Sequence, residues 1–401
     1  MVTGALIGRR LIRLCVAVAL IASTGEMVAW AQEPASPQAL GEAQLQGAID
    51  QLGQLDYDQR TAASRTVRRT AGAQAVPALL RAVQEHGDGY VRYRALVLLT
   101  GFNDARTKGA MVEALTSPND RLRTVAYQFL ERNPDRQLTT RLLAALETEN
   151  AEFVRPALIR ALAALGDVAA VRPVLIRETT RGEDFFRSAV IEALGDHKAT
   201  YAVDSLLAVV KQDGPLVDDA ALALGRIGDG RAAATLAAVQ QDGPKSAQSF
   251  VAAALCLLAA NCELHETFLR DTLRYADQTP GMQETLRAAA AGLGALGVAG
   301  RRGALESLMN VGIDSRDPTR APVALAAATI ALRNSALMLE WLSSAERRPD
   351  AIALVAEGFD MLEEDLEKER FFAAVRRAYW TAADGSATRE LMRTLITQLD
   401  F

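Results

Sequence analysis

Phe153-Val154-Arg155-Pro156-Ala157-Leu158-Ile159-Arg160-Ala161-Leu162-Ala163-Ala164-Leu165-Gly166-Asp167 is the stretch on which the reading of this chain turns. Val154, Leu158 and Leu162 recur every four residues, so they share one face of a helix and predict that this face is buried. Gly166-Asp167 then marks a helix end, where glycine is free to take a left-handed capping conformation. Sliding outward by 31 or 32 residues recovers the same frame. The Arg position falls at Arg60, Arg92, Arg123, Arg155 and Arg187, with Asp218 in sixth place. Gln59, Val91, Leu122, Val154, Phe186 and Val217 precede it, and Ala63, Ala95, Ala126, Leu158, Val190 and Ala221 follow three residues later. Breakers close the other helices of the set at Gly101-Phe102-Asn103-Asp104, Asn133-Pro134-Asp135, Gly195-Asp196 and Gly228-Asp229. A second helix follows each, as in Ala75-Val76-Pro77-Ala78-Leu79-Leu80 and Val171-Arg172-Pro173-Val174-Leu175-Ile176, with proline expected in the first turn.

Two short helices per 31 or 32 residues cannot bury an apolar face alone, so neighbouring units must stack. The predicted architecture is all-α, a right-handed α-solenoid of stacked antiparallel helix pairs. It is regular over 57–230. It is divergent over 231–401, where Arg287 is the next residue in the ladder register and the last helix serves as a cap. Residues 32–56 read as a flexible lead-in and first helix. The unit resembles the short HEAT repeat, of the type also found in phycobiliprotein lyase-like proteins, with Phe153 through Asp167 as the nearest approximation to its pattern. That resemblance implies an extended binding surface without a single deep pocket.

Residues 1–31 have the form of a secretory signal. Arg9, Arg10 and Arg13 precede a short apolar core, Leu14 to Ala22, and Ala29-Trp30-Ala31 offers a small-x-small cleavage site. The expected location is periplasmic or secreted, with no membrane span in the mature chain because the apolar run is too short. Past residue 31 the chain carries 41 basic and 48 acidic residues. Tyr57 to Arg187 holds 20 basic and 15 acidic residues, whereas Ser188 to Phe401 holds 21 and 29. Such asymmetry can steer a charged partner, but it is too mild for a nucleic-acid footprint.

Chemistry-bearing residues are sparse. His86, His197 and His265 lack the spacing of a zinc site, and the single His265-Glu266 pair cannot assemble the di-iron site of the HEAT-like deoxyhypusine hydroxylases. No cofactor, metal or catalytic residue is expected. Cys256 and Cys262 are expected as two buried or half-buried thiols, a bridge requiring the intervening helix to end sharply. Glu363-Glu364-Asp365, Glu367 and Glu369 read as a solvated helix face, and Gly292, Gly294, Gly297 and Gly300 as sites of close helix packing.

Two features remain as binding candidates. Arg92, Arg123, Arg155 and Arg187 form a row of guanidinium groups one repeat apart. They serve either a partner or the carboxylates and carbonyls of adjacent repeats, with Asp120, Glu152 and Asp184 nearby. Tyr90, Phe153 and Phe185 stand two residues before the ladder position in three repeats and could form a sticky stripe, or pack on the preceding helix. The expected function is that of a scaffold binding a protein or peptide. The alternative is a lyase or other enzyme handling a small molecule or pigment.

Overall fold

The computed structural model describes residues 33–401 apart from 213 and 260, so the signal-sequence reading lies outside the described residues. The chain from Pro34 onward forms one compact unit. Its described residues contain α-helices and no β-strand, an all-α solenoid.

After α1 (Glu42–Asp50) the helices alternate between two layers. In chain order they are α2 (Tyr57–Arg69), α3 (Gly72–Glu85), α4 (Gly89–Leu99), α5 (Arg106–Ala114), α6 (Asp120–Arg132) and α7 (Thr139–Thr148). Then come α8 (Arg155–Ala163), α9 (Arg172–Glu178), α10 (Asp184–Asp196), α11 (Val203–Val210), α12 (Val217–Ile227) and α13 (Ala233–Asp242). The second half adds α14 (Gln248–Leu257), α15 (Cys262–Gln278), α16 (Gln283–Val298), α17 (Arg302–Gly312), α18 (Arg320–Arg333), α19 (Ser335–Ser344), α20 (Arg348–Met361), α21 (Asp365–Thr381) and α22 (Ala387–Gln398). From α4 to α20 the even-numbered helices pack closely on one another, while the odd-numbered ones touch one another only lightly. The even set is therefore the inner, concave layer.

The face predicted from the repeat is buried: Val91, Leu122, Val154, Phe186 and Val217, with Ala63, Ala95, Ala126, Leu158, Val190 and Ala221, all lie in the core. Gln59, in the first repeat, is exposed. Inner helices approach closely because their contact residues are Ala and Gly. A Cβ on Gly195 would lie 2.7 Å from Ala223 Cα, and one on Gly225 would lie 2.6 Å from Ala254 Cα.

Several local expectations are corrected. Gly195 lies inside α10, where it serves close packing, and the left-handed residue beyond that helix is Lys198 (φ 51°). Asn103 takes the left-handed position after α4, and only Gly228 (φ +79°), of the glycines named above as helix ends, does so. Pro77 sits in the middle of α3 because that helix begins earlier, at Gly72, whereas Pro173 does occupy the first turn of α9. The lead-in is pinned rather than free. Gln38 exchanges backbone bonds with Arg69 and Ala71 at 2.8 Å each, the Gln74 amide bonds both backbone groups of Leu40, and the Trp380 indole donates to Pro34 O at 3.1 Å.

The array curls until its end meets its beginning. Leu366 of α21 belongs to the core of the first half, whereas Phe371, Val375 and Tyr379 of the same helix belong to the core of the second. One helix thus closes the solenoid onto itself.

Candidate functional site

The four ladder arginines share an architectural task. Arg92 Nε donates to Val83 O at 2.7 Å, Arg123 Nη1 to Ser117 O at 2.8 Å, Arg155 Nη1 to Glu149 O at 3.1 Å, and Arg187 Nε to Thr179 O at 3.0 Å. Each acceptor lies at or just past the C-terminus of the preceding outer helix, where carbonyls lack intrahelical donors and the helix dipole favours a cation. Asp120 and Asp184 pair with Arg123 and Arg187 at 2.7 and 2.9 Å. For Arg155 the nearby carboxylate is Glu178 at 3.6 Å, in place of the Glu152 expected from sequence.

The same device persists where the sequence register drifts. Arg320 donates to Gly312 O at 2.8 Å, capping α17, and Arg348 donates to Leu342 O at 2.9 Å, capping α19. Arg287 is corrected: it is bonded to Glu284 at 2.6 Å on the surface. The capping arginines of the second half thus include Arg320, Arg348 and Arg389, the last donating to Ala382 O at 3.0 Å at the end of α21, at irregular spacing.

The inner face is occupied by the chain's own acidic segment. Glu369, 2% exposed at its side chain, accepts from Arg68 Nε and Nη2 at 2.9 and 2.7 Å. Asp365 accepts from Arg94 at 2.8 Å and from the Tyr93 hydroxyl, and Glu367 from Arg132 at 3.1 Å. Glu364 faces Arg333 at 3.3 Å, and Arg333 lies 3.7 Å from Asp196, across the concave face on α10. Burial alone would raise the Asp365 carboxyl, but Arg94, the Tyr93 hydroxyl and Lys368 outweigh it and hold it below the usual range. Burial, reinforced by Asp365, pushes the Tyr93 phenol up. The reading of this run as a solvated face is thereby corrected for Glu364, Asp365, Glu367 and Glu369, while Glu363 is exposed as expected. The basic first half and acidic second half complement each other within one molecule, so the asymmetry is largely consumed internally. A usable signal was present: Asp365, Leu366, Glu369 and Phe372 fall on one helical face, mixing acids with large apolar residues.

Behind this clasp lies a chamber of about 680 Å³ lined in part by Arg160, Glu192, Asp196, Arg226, Arg333 and Glu364. Arg160 binds Asp196 and Glu192 at 2.8 Å each, and Arg226 binds Asp196 at 3.1 Å. Nearby, on α12, burial pushes the Asp219 carboxyl up to about 6; a Ser188 hydrogen bond opposes this, and Asp218 and Glu192 add to it. A folded pKa above the ordinary value means that the group's stabilising contribution is complete near pH 4 and below, and is lost as pH rises through 6. Asp219→Asn is therefore expected to raise unfolding free energy at pH 7.5 by about 1–3 kcal/mol. The gain should shrink toward zero at pH 4.5, as read by urea titrations at both values. An equal gain at both would refute the titration account.

The aromatic stripe is divided. Phe153 and Phe185 meet edge to face with ring centroids 6.5 Å apart, and stand 76% and 54% exposed. Tyr90 is half-buried against Tyr93 at 5.7 Å, with the Arg121 guanidinium over both rings. Arg121 occupies the intervening repeat's stripe position, so the apolar surface is interrupted there. Tyr90 instead lines a cleft of about 400 Å³ at the seam, with Tyr57, Arg60, Phe359, Lys368 and Phe372.

Among the other groups examined by sequence, His86 lies 3.5 Å from Asp50 and His197 3.3 Å from Glu131. Cys256 and Cys262 are bonded, correcting the expectation of two thiols. The helix between them does end sharply: α14 stops at Leu257, and Ala259 and Asn261 take positive φ of 58° and 52°, turning the chain back on itself. Gly294 and Gly297 face Ala326 and Ile330 of α18, which is close helix packing, whereas Gly300 is corrected: it lies past the end of α16 with φ +93° and serves the turn there. No single helix among the described residues is long and apolar enough to cross a membrane.

A family comparison agrees with the repeat reading in the first half of the chain. Residues 76–163 and 109–194 match the family of HEAT repeats. A crystal structure of importin beta is similar over 88% of this chain and 57% of its own length, at 13% identity and a TM-score of 0.34. The crystal structure of an engineered protein is similar over 90% of this chain and 100% of its own, at 14% identity and a TM-score of 0.27. No curated protein matches the sequence.

Proposed function

We propose that this protein is an exported HEAT-repeat scaffold that binds a protein or peptide on its rim rather than in its concave groove. The observation that carries the reading is the Phe153–Phe185 pair. Two large apolar rings are held in mutual contact at the head of successive inner helices while remaining mostly exposed. Exposed aromatic pairs of this kind are enriched at binding hot spots, where a partner buries them. The inner face is a poorer candidate because its cations are already matched by acids of α10 and of the segment from Glu364 to Glu369. A bonded cysteine pair supports an oxidising compartment outside the cytosol, in keeping with the signal-like residues 1–31.

The test is a double substitution, Phe153→Ser with Phe185→Ser, in affinity capture from the native envelope followed by titration of the captured partner. Each side chain is too exposed to hold the fold, so the melting temperature should stay within about 2 °C, in line with the small effects of surface substitutions. Partner affinity is expected to fall at least tenfold, as for truncating hot-spot anchors. Unchanged affinity would remove the rim from consideration.

A further inference from the structure

Where the inner helix α14 hands over to the outer helix α15, three metal-ligating groups converge. Cys256 Sγ, Cys262 Sγ and a Glu266 carboxylate oxygen lie within 4.8 Å of one another. We propose that these three residues form a redox-gated Zn(II) site, closed to metal while the cysteines are bonded and opened by a dithiol reductant.

The donor set and its surroundings suit the ion. Zinc takes thiolate and carboxylate ligands together, and a site with three protein ligands keeps its fourth position for water. Cys256 and Glu266 are buried and Cys262 is half-buried, which leaves one side of the cluster accessible. Cys262 and Glu266 are four residues apart on α15, so one helix face presents both. Arg301 binds Glu266 Oε2 through Nε and Nη2 at 3.0 and 2.7 Å. A partner of this kind fixes a ligating carboxylate in place.

Opening the site balances as follows. The dithiol gives two electrons and two protons to the Cys256–Cys262 bond and leaves as its own disulfide, and the S–S bond becomes two S–H groups. Aquated Zn(II) then displaces both thiol protons to the buffer and sheds water to bind two thiolates and the carboxylate. In reverse, the disulfide form of the dithiol takes two electrons from the thiolates and two protons from the buffer, the S–S bond re-forms and the ion is released to water, so the bridge and the metal exclude each other.

The test uses Co(II) as a spectroscopic probe on the full described chain, reduced with dithiothreitol and desalted under argon. One equivalent is expected to give a thiolate-to-cobalt charge-transfer band with the d–d bands of a four-coordinate ion, bleached by one equivalent of Zn(II). The oxidised protein should give neither. Cys262→Ser should abolish the charge-transfer band or halve it, and Glu266→Gln should weaken Co(II) binding at least tenfold, the scale seen when a metal site loses one supporting group. Circular dichroism of each variant confirms that it is folded; a Glu266 variant that fails this check is replaced by Glu266→Asp, for which the same weakening is expected. A reduced, folded protein that binds no Co(II) would overturn the site, as would full affinity in the Glu266 variant.

Discussion

Glu369→Ala is expected to destabilise the protein by about 3–5 kcal/mol, the cost of leaving one member of a buried ion pair without its partner. The partner is Arg68, whose side chain is 9% exposed and whose guanidinium bonds the Glu369 carboxylate through two nitrogens while lying 5.2 Å from the centre of the Phe372 ring. Without the carboxylate that cation has little water to turn to. The loss should be local to the seam, because α21 is the helix that joins the cores of the two halves. Two further variants separate a missing charge from a missing contact. Glu369→Gln keeps the shape and one acceptor, so its loss should be smaller. Arg68→Met combined with Glu369→Leu removes both charges and should recover most of the stability, since replacing a buried pair by apolar residues is often neutral or favourable. Urea unfolding at pH 7 reads all three. A loss under 1 kcal/mol for Glu369→Ala would mean that the seam is held by apolar packing alone.

The clasp also marks where sequence reasoning stopped. Helix pairing, the buried face of the ladder helices and the all-α architecture follow from local periodicity, which each repeat restates. Val154 and Leu158 are buried like their counterparts a repeat away. Closure is different in kind, because Glu369 and Arg68 are 301 residues apart in sequence. Whether an acidic run faces water or a basic helix depends on how far the superhelix curls, and that angle accumulates from many small offsets between helices. Charge counting detected both halves of the complement without showing that they meet. The ladder arginines were open to two readings for a related reason: a guanidinium bonded within the repeat and one awaiting a partner look alike in sequence. Arg320 and Arg348 escaped because capping requires only that the group reach a helix end, which tolerates a drift in spacing that pattern matching does not. Phe153 and Phe185 kept their place because position in the repeat sets exposure. Tyr90 did not keep its place in the stripe, since Arg121 covers it and the seam draws it into a cleft.

The curl that brings α21 home is itself set by how closely the inner helices pack, and Gly358 is the most constrained of those contacts. A Cβ at this position would lie 2.2 Å from Ala324 O and 2.5 Å from Ala328 Cβ, so α18 and α20 must separate to admit any side chain. Neither neighbour can yield, since one is backbone and the other is a single methyl on a buried helix. Gly358→Ala gains helix propensity of about 1 kcal/mol, but overpacking of this kind costs about 1–3 kcal/mol and sometimes more, so a net loss is expected. Gly358→Val should exceed it, on the order of 3 kcal/mol or more, because a branched chain cannot rotate out of the crossing. The displacement should propagate, because α20 is followed directly by Leu362 and the acidic segment that reaches Asp196, Arg94 and Arg68 through Arg333, Asp365 and Glu369. Amide hydrogen exchange on Gly358→Val is therefore expected to rise in α21 and in α2 and α4, as well as in α18 and α20. Exchange confined to α18 and α20 would show that closure does not depend on inner-helix spacing. Increased exchange at both ends of the chain would tie a single missing Cβ to the geometry that closes the solenoid.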